Sequence, residues 1–357
     1  MKAFILAGGL GTRLRPLTER RPKPLLPFAN LPLARHTLAL LRAQGITEFV
    51  FLLHYLPGVF QELLGDGSPE NCQITYAHFS ENLDTAGCLK AVEHQVDGTS
   101  LIFSGDIVVD FNLSAMVQAH RVRRAQITLA IRPEPTPLGY GIVQIEGDGR
   151  IVRFEEKPTQ AELFSNWMNC GIYLVEPDSL RYFPASRPLS FEREVFPYYA
   201  AKHKKLFGIP LPGYWRDLGN PASYLQAHVD FLSHQLPAAY YRHAENGRVA
   251  APGNLIGDRV AMHRSCRLSH SIIGADCVIE EGAELYGGVL WDGVHIGRNV
   301  SIHDSIIGDQ VRIGEGARVF GQSLVAAGSA VPPGAHLGPE ERFCPLDSTL
   351  PLANQLP

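Results

Sequence analysis

Two stretches near the start of this 357-residue sequence carry backbone and side chains suited to chemistry on phosphates. The first, Leu6-Ala7-Gly8-Gly9-Leu10-Gly11-Thr12-Arg13, directly follows a short apolar run. A glycine-rich turn after a strand lets backbone N–H groups close on phosphate oxygens without interference from Cβ atoms. Ala7, Gly8, Gly9, Gly11 and Thr12 are therefore candidates for holding a nucleotide, with Arg13 beside them. No Gly-Lys-Ser/Thr follows, so this is not a Walker loop, and Arg13 stands where the dinucleotide fingerprint needs its third glycine. The second stretch is Pro22-Lys23-Pro24-Leu25-Leu26-Pro27, in which two prolines stiffen the backbone around one lysine. Arg13 and Lys23 suit a polyphosphate whose charge must be neutralised as pyrophosphate leaves, and both are read as catalytic.

Gly8 to Thr18 with Pro22 to Pro27 resembles the signature of the sugar-nucleotide pyrophosphorylases, in particular the mannose-1-phosphate guanylyltransferase-like branch. The similarity continues through Glu81 to Gly87, Gly105-Asp106, Tyr140 to Val143, Phe154 to Pro158, Asn169 to Tyr173, Ser190-Phe191-Glu192 and Trp215 to Gly219. The resemblance implies transfer of a nucleotidyl group from an NTP to a sugar 1-phosphate, giving an NDP-sugar and pyrophosphate. It implies Asp106 and Asp217 as the oxygen ligands of one Mg²⁺, with Asp106 also catalytic. Glu81, Thr85 and Gly87 fall in the family's nucleotide-reading stretch. Gly141, Glu156, Lys157, Asn169 and Gly171 fall on its sugar-phosphate side, Glu156 for hydroxyls and Lys157 for the phosphate.

The chemistry asks little covalent work of the protein. A sugar 1-phosphate is already charged at neutral pH, so its oxygen attacks the α-phosphorus without a general base, and positioning, metal and cations supply the acceleration. Guanine offers two adjacent donors that a carboxylate can accept together, so Glu81 favours GTP. By resemblance the sugar is mannose 1-phosphate, with glucose, a heptose or an amino sugar left open. Two positions depart from the family pattern: Asp84 replaces a usual glycine, and Ser104 a usual asparagine. The alternatives are uridylyl or thymidylyl transfer to glucose 1-phosphate, and a non-catalytic regulatory subunit, which should have lost Lys23, Asp106 or Asp217. An acyltransferase working through His270, His295 or His303 is the third.

Such a site needs strands that end together. Apolar runs at 3–7, 48–53, 73–77 and 100–103, separated by amphipathic stretches at 33–44 and 113–123, predict an α/β domain. Shorter β segments at 126–132, 141–145 and 151–154 and a helix at 221–232 complete a Rossmann-like domain, residues 1–232, with a mixed, mainly parallel sheet of the nucleotide-diphospho-sugar transferase type. Residues 233–253 are read as a linker. Beyond it large aliphatics recur every six residues, in triplets starting at Ile256, Ile273, Leu290 and Ile307. That period predicts a left-handed parallel β-helix over 254–334, with Leu324 opening a fifth, incomplete unit. Glycine follows the first aliphatic at 257, 274 and 308. Residues 335–357 are expected to be an extended tail.

Composition sets the remaining bounds. The net charge of −4, without a run of Lys or Arg, argues against nucleic acid as a partner. No apolar stretch approaches the length of a membrane span, and the one at the N-terminus is too short for a signal segment. Six scattered cysteines without a CxxC pair fit reduced thiols in a cytoplasmic protein. The expected partners are the NTP and the sugar 1-phosphate, and a β-helix face offers a docking surface for a homo-oligomer.

Overall fold

A computed structural model describes residues 1–185, 187–241 and 253–344. They group into two compact units, Met1–Leu10 with Ala34–Trp215, and Gly11–Leu33 with Arg216–Pro357. Segments 11–33 and 216–232, read from the sequence as part of the catalytic domain, thus belong to the unit that holds the β-helix.

The first unit is built on a nine-stranded sheet. Its main path runs Ile151–Glu156, Gly141–Ile145, Trp167–Val175, Ser100–Ser104, Lys2–Leu6, Glu48–Leu53, Gln73–His78, and Ile127–Pro133 and Leu206–Pro210 extend it from Trp167–Val175. Lys2–Leu6, Glu48–Leu53, Gln73–His78 and Ser100–Ser104 pair in parallel, while Trp167–Val175 runs antiparallel to its neighbours. The central strands are apolar on both faces, as a parallel sheet covered on both sides requires: Phe4, Phe51, Ile102 and Phe103 are fully buried. The helix Leu113–Arg123 starts where expected because the Asn112 side chain accepts from the Ala115 N–H at 3.0 Å. Among the described residues no helix is long and apolar enough to cross a membrane.

Several elements were not read from the sequence: the strands Trp167–Val175 and Leu206–Pro210, and the helices Pro57–Leu64 and Asp84–Ala91. Asp84–Ala91 begins on a residue with φ of 58° and contains Gly87, so its local propensity is poor and tertiary packing decides. Trp167–Val175 changes register between Asn169 and Tyr173, around Gly171 at φ 73°, which hides its period.

In the second unit three parallel sheets stack coil on coil, the prism of a left-handed β-helix. The interior ladders are Ile273–Leu290–Ile307–Val325, Ile279–Ile296–Ile313–Val331 and Leu285–Ile302–Val319–Leu337, all essentially buried. Met262, expected in the ladder, is 42% exposed on the first coil. Two expectations need correction. Ile307 stacks on Val325, so Leu324 points outward; the extra residue is absorbed at the corner Gly321-Gln322, where both take positive φ. Nor does the stack end at 334. Strands His336–Leu337 and Arg342–Phe343 continue it, because Pro332-Pro333 lies at a corner where no ladder N–H is needed. Residues 242–252 of the expected linker and 345–357 of the expected tail lie outside the described residues.

One face of the prism is dry on its outer side too. Leu255, Ile272, Val289, Ile306 and Leu324 point outward yet are at most 3% exposed, whereas Val278 on another face is 42% exposed. The 13–33 segment and the helix Pro221–Leu232 bond to this face: Asn30 Nδ2 donates to the Ile273 carbonyl at 2.8 Å, and Trp291 Nε1 to the Tyr224 hydroxyl at 3.2 Å.

The interior ladder can be tested at its middle. Ile296→Ala should cost about 2–5 kcal/mol in chemical unfolding, as for other buried aliphatics, and Ile296→Asp should cost more by burying an unpaired charge. An unfolding midpoint unchanged in both variants would show that the side chain is not interior.

Candidate active site

The residues expected to act on phosphates fall partly in each unit. In the second, Gly11 takes φ 62°, and a Cβ there would come within 2.9 Å of the Thr18 methyl. Thr18 Oγ1 donates to the Gly11 carbonyl at 2.9 Å and the Leu14 N–H does so at 3.0 Å, which turns the chain into the short helix Thr12–Leu14. Lys23 opens a second short helix, Lys23–Leu25, set by Pro22 and Pro24. Although Lys23 is only 8% exposed, its ammonium lies 3.0 Å from Asp217 Oδ1. The exposed guanidinium of Arg13 lies 3.9 Å from Asp217 Oδ2. A Cβ at position 219 would collide with both Asp217 and Arg13, so Gly219 is what lets the two approach. Asp217 is held in turn: Ser223 Oγ donates to its carbonyl, and Asn220 caps the following helix through the Ser223 N–H at 2.9 Å. Arg216 points elsewhere, to Asp230 at 3.0 Å.

In the first unit, Ala7 donates to Leu52 O at 3.2 Å and Gly105 to Leu6 O at 3.0 Å, so Gly8, Gly9 and Asp106 sit at the C-terminal ends of adjacent parallel strands. This is where open α/β sheets place their ligands. A Cβ on Gly9 would meet no neighbour within 4 Å.

A separate network forms around the register change of Trp167–Val175. Asn169 accepts from the Gly171 N–H at 3.1 Å and donates to the Tyr173 hydroxyl at 2.9 Å. Tyr173 donates to Glu192 Oε1 at 3.0 Å, while Thr85 and Ser190 hydroxyls donate to Glu192 Oε2 at 2.8 and 2.9 Å. Glu156 lies nearby in charge terms: burial pushes its carboxyl above the usual range and the Glu192 charge adds to the push, against Lys157 at 3.7 Å. A Cβ at Gly141 would come within 2.7 Å of Glu156 Oε2, so glycine is what leaves this carboxylate its place.

A nucleotidyl transferase family model matches residues 2–234. The chain belongs to that family. A second match, to the EIF2B subunit epsilon LbH domain, covers residues 243–337. A mannose-1-phosphate guanylyltransferase of Mycobacterium tuberculosis is 32% identical over 82% of this chain and 80% of its own length. Mannose-1-phosphate guanylyltransferase 1 of Arabidopsis thaliana is 34% identical, over 80% of each chain. Among solved structures, a putative glucose-1-phosphate thymidylyltransferase from Bacillus anthracis, in complex with a sucrose, aligns with a TM-score of 0.58 at 26% identity. That match covers 64% of this chain and 93% of the other.

For this nucleotidyltransferase, then, Arg13, Lys23 and Asp217 come together in one unit, and Thr85, Glu156, Lys157, Asn169 and Gly171 lie in the other. Some expected contacts look different in detail. Gly87 is closely packed: a Cβ there would lie 3.0 Å from the Leu189 N. Its N–H, like that of Ala86, donates to Leu189 O. Thr85 is committed to Glu192. Glu81 is exposed, just ahead of the helix Asp84–Ala91. Asp84 adopts a left-handed backbone, the conformation a glycine favours, and its Oδ1 accepts from the Thr85 N–H at 2.7 Å. Ser104 fills the space against Gly171, where a Cβ would come within 2.6 Å of its hydroxyl. The sequence reading missed Glu192 and Tyr173 as members of the network, although both lie inside quoted motifs. Their signal is a carboxylate two residues after a serine, which is too common to single out. His270, His295 and His303 are tied to local partners on the β-helix: Ser269, Glu280 and Ser301.

The raised Glu156 carboxyl has a sign that can be checked. Because the folded state holds this proton more tightly than the unfolded chain, Glu156 costs stability as pH rises from its ordinary value of 4.5 through the raised one. Glu156→Gln should therefore gain on the wild type across that window and hold a constant lead above it. Urea unfolding at a series of pH values measures the difference, and a difference independent of pH would contradict the burial argument.

Proposed function

We propose that this nucleotidyltransferase makes GDP-mannose, transferring guanylyl from GTP to mannose 1-phosphate with release of pyrophosphate. The observation that carries the reaction is the convergence of Lys23 and Arg13 on Asp217 beside the glycine-rich turn. The names of the relatives, which span four-fifths of the chain, support guanine and mannose. The free cysteines support a reducing, cytoplasmic setting.

In this reading the turn from Ala7 to Thr12 presents its N–H groups to the phosphates. Lys23 and Arg13 are held ready by Asp217 and neutralise the charge that develops on the α-phosphate and the departing pyrophosphate. Asp106 and Asp217 are carboxylates, the donors that Mg²⁺ prefers, and a Mg²⁺ that they hold would supply charge stabilisation at the triphosphate. The sugar phosphate is bound by Lys157, and the sugar by Glu156, Asn169 and Gly171. An oxygen of its phosphate forms the new bond to the α-phosphorus of GTP as the bond to the β-phosphate oxygen breaks. No proton has to move for that step.

Asp106→Asn and Asp217→Asn should each lower kcat by about two orders of magnitude or more, because a neutral amide holds Mg²⁺ poorly. EDTA should stop pyrophosphate release in the wild type, and near-normal turnover in EDTA would overturn the metal assignment. Base choice is read at Glu81. Replacing it by Gln sets a donor against guanine, and kcat/KM for GTP should fall roughly tenfold while UTP is unchanged or improves. If the GTP-to-UTP ratio does not move, Glu81 does not read the base.

A further inference from the structure

The repeat of the β-helix breaks its own pattern at one place. Glycine follows the first interior aliphatic at Gly257, Gly274 and Gly308, but after Leu290 the residue is Trp291. Nothing in the coil requires a tryptophan there, and the neighbouring coils do without one. Trp291 is 2% exposed. Its indole N–H donates to the Tyr224 hydroxyl at 3.2 Å, and Tyr224 donates to the Pro27 carbonyl. Over its ring, 5.2 Å from the centroid, lies the guanidinium of Arg21.

One coil on, Asp309 Oδ2 takes Arg21 Nη2 at 2.9 Å. Both side chains are about three-quarters covered, so this pair is more than a solvated surface contact. The segment they reach is held at its far end as well: His228 Nε2 accepts from the Ala29 N–H at 3.3 Å, and Asn30 donates to the Ile273 carbonyl. Between these anchors lies Lys23.

We propose that Asp309 and Trp291 are positioning residues for nucleotidyl transfer, with the β-helix fixing the Arg21–Asn30 segment through Arg21 and Tyr224. In consequence the Lys23 ammonium depends for its aim on a face of the C-terminal domain. The break in the repeat is the mark of that duty. Its effect on turnover rests on the nucleotidyl-transfer reading above, whereas its effect on the segment does not.

Two measurements on the full-length chain test this, amide hydrogen exchange and steady-state kinetics with GTP and mannose 1-phosphate. In Asp309→Asn, peptides spanning 21–30 should exchange about tenfold faster while those spanning 295–303 do not change. In the same variant kcat should fall roughly tenfold or more with KM within about twofold, as for a misplaced catalytic group, and Asp309→Glu should recover part of the loss. Unchanged exchange at 21–30 overturns the proposal, as does faster exchange throughout the β-helix or a kcat that stays at the wild-type value. If the wild type turns over no pair of substrates, the function reading fails, and the exchange arm still decides whether Asp309 holds the segment. Should Asp309→Asn not fold, Trp291→Gly, which restores the residue of the neighbouring coils, takes its place with the same expectations.

Discussion

The site is organised around the cost of keeping the Lys23 ammonium out of water. A charge as covered as this one is tolerated only beside an opposite charge at close range, and Asp217 provides it at 3.0 Å. Much else follows from that requirement. Gly219 has to be a glycine so that Arg13 can share the carboxylate, and the prolines on either side of Lys23 restrict where it can point. The chain after Asp217 enters a helix capped by Asn220, which fixes the carboxylate from behind. A pair so arranged is a cation source at rest.

The network around Asn169 follows a different logic, built on a half-buried carboxylate satisfied by neutral donors. Three hydroxyls, from Tyr173, Thr85 and Ser190, converge on Glu192. Because Tyr173 is bonded to Asn169, the carboxylate sets the orientation of an amide it does not touch. The charge of Glu192 is also felt at Glu156, whose proton is held more tightly for it. Position and protonation in this network are thus coupled through one residue.

Most of the architecture was legible because it repeats or alternates. The six-residue period located every interior ladder down to Val319, and the apolar runs located the central strands. What escaped was whatever depends on contacts distant in sequence. Trp167–Val175 pairs with three different strands and shifts register at Gly171, so no simple period marks it. The assignment of 11–33 to the β-helix unit rests on bonds such as Asn30 to Ile273, which separate stretches of sequence cannot announce. Leu324 was misread because a strict repeat was extrapolated across a corner that carries one more residue. The site residues were legible as types in motifs. Their partners were not, and Thr85 and Gly87 turned out to be held by the 189–192 segment.

The extra residue at Gly321-Gln322 says something about how a prism of coils tolerates change. Each flat side takes its alignment from the side beneath it, through backbone bonds such as Leu324 N–H to Glu341 O and Ile306 N–H to Ser323 O. A chain that gains a residue at a corner therefore re-enters the next side in step. The two left-handed residues at the bend absorb the added length, and the interior receives Val325 where the count alone would have delivered Leu324. Errors of counting are confined to the bend in which they arise. Corners are thus the places where such a domain can lengthen, shorten or accept a grafted loop without disturbing a single interior ladder.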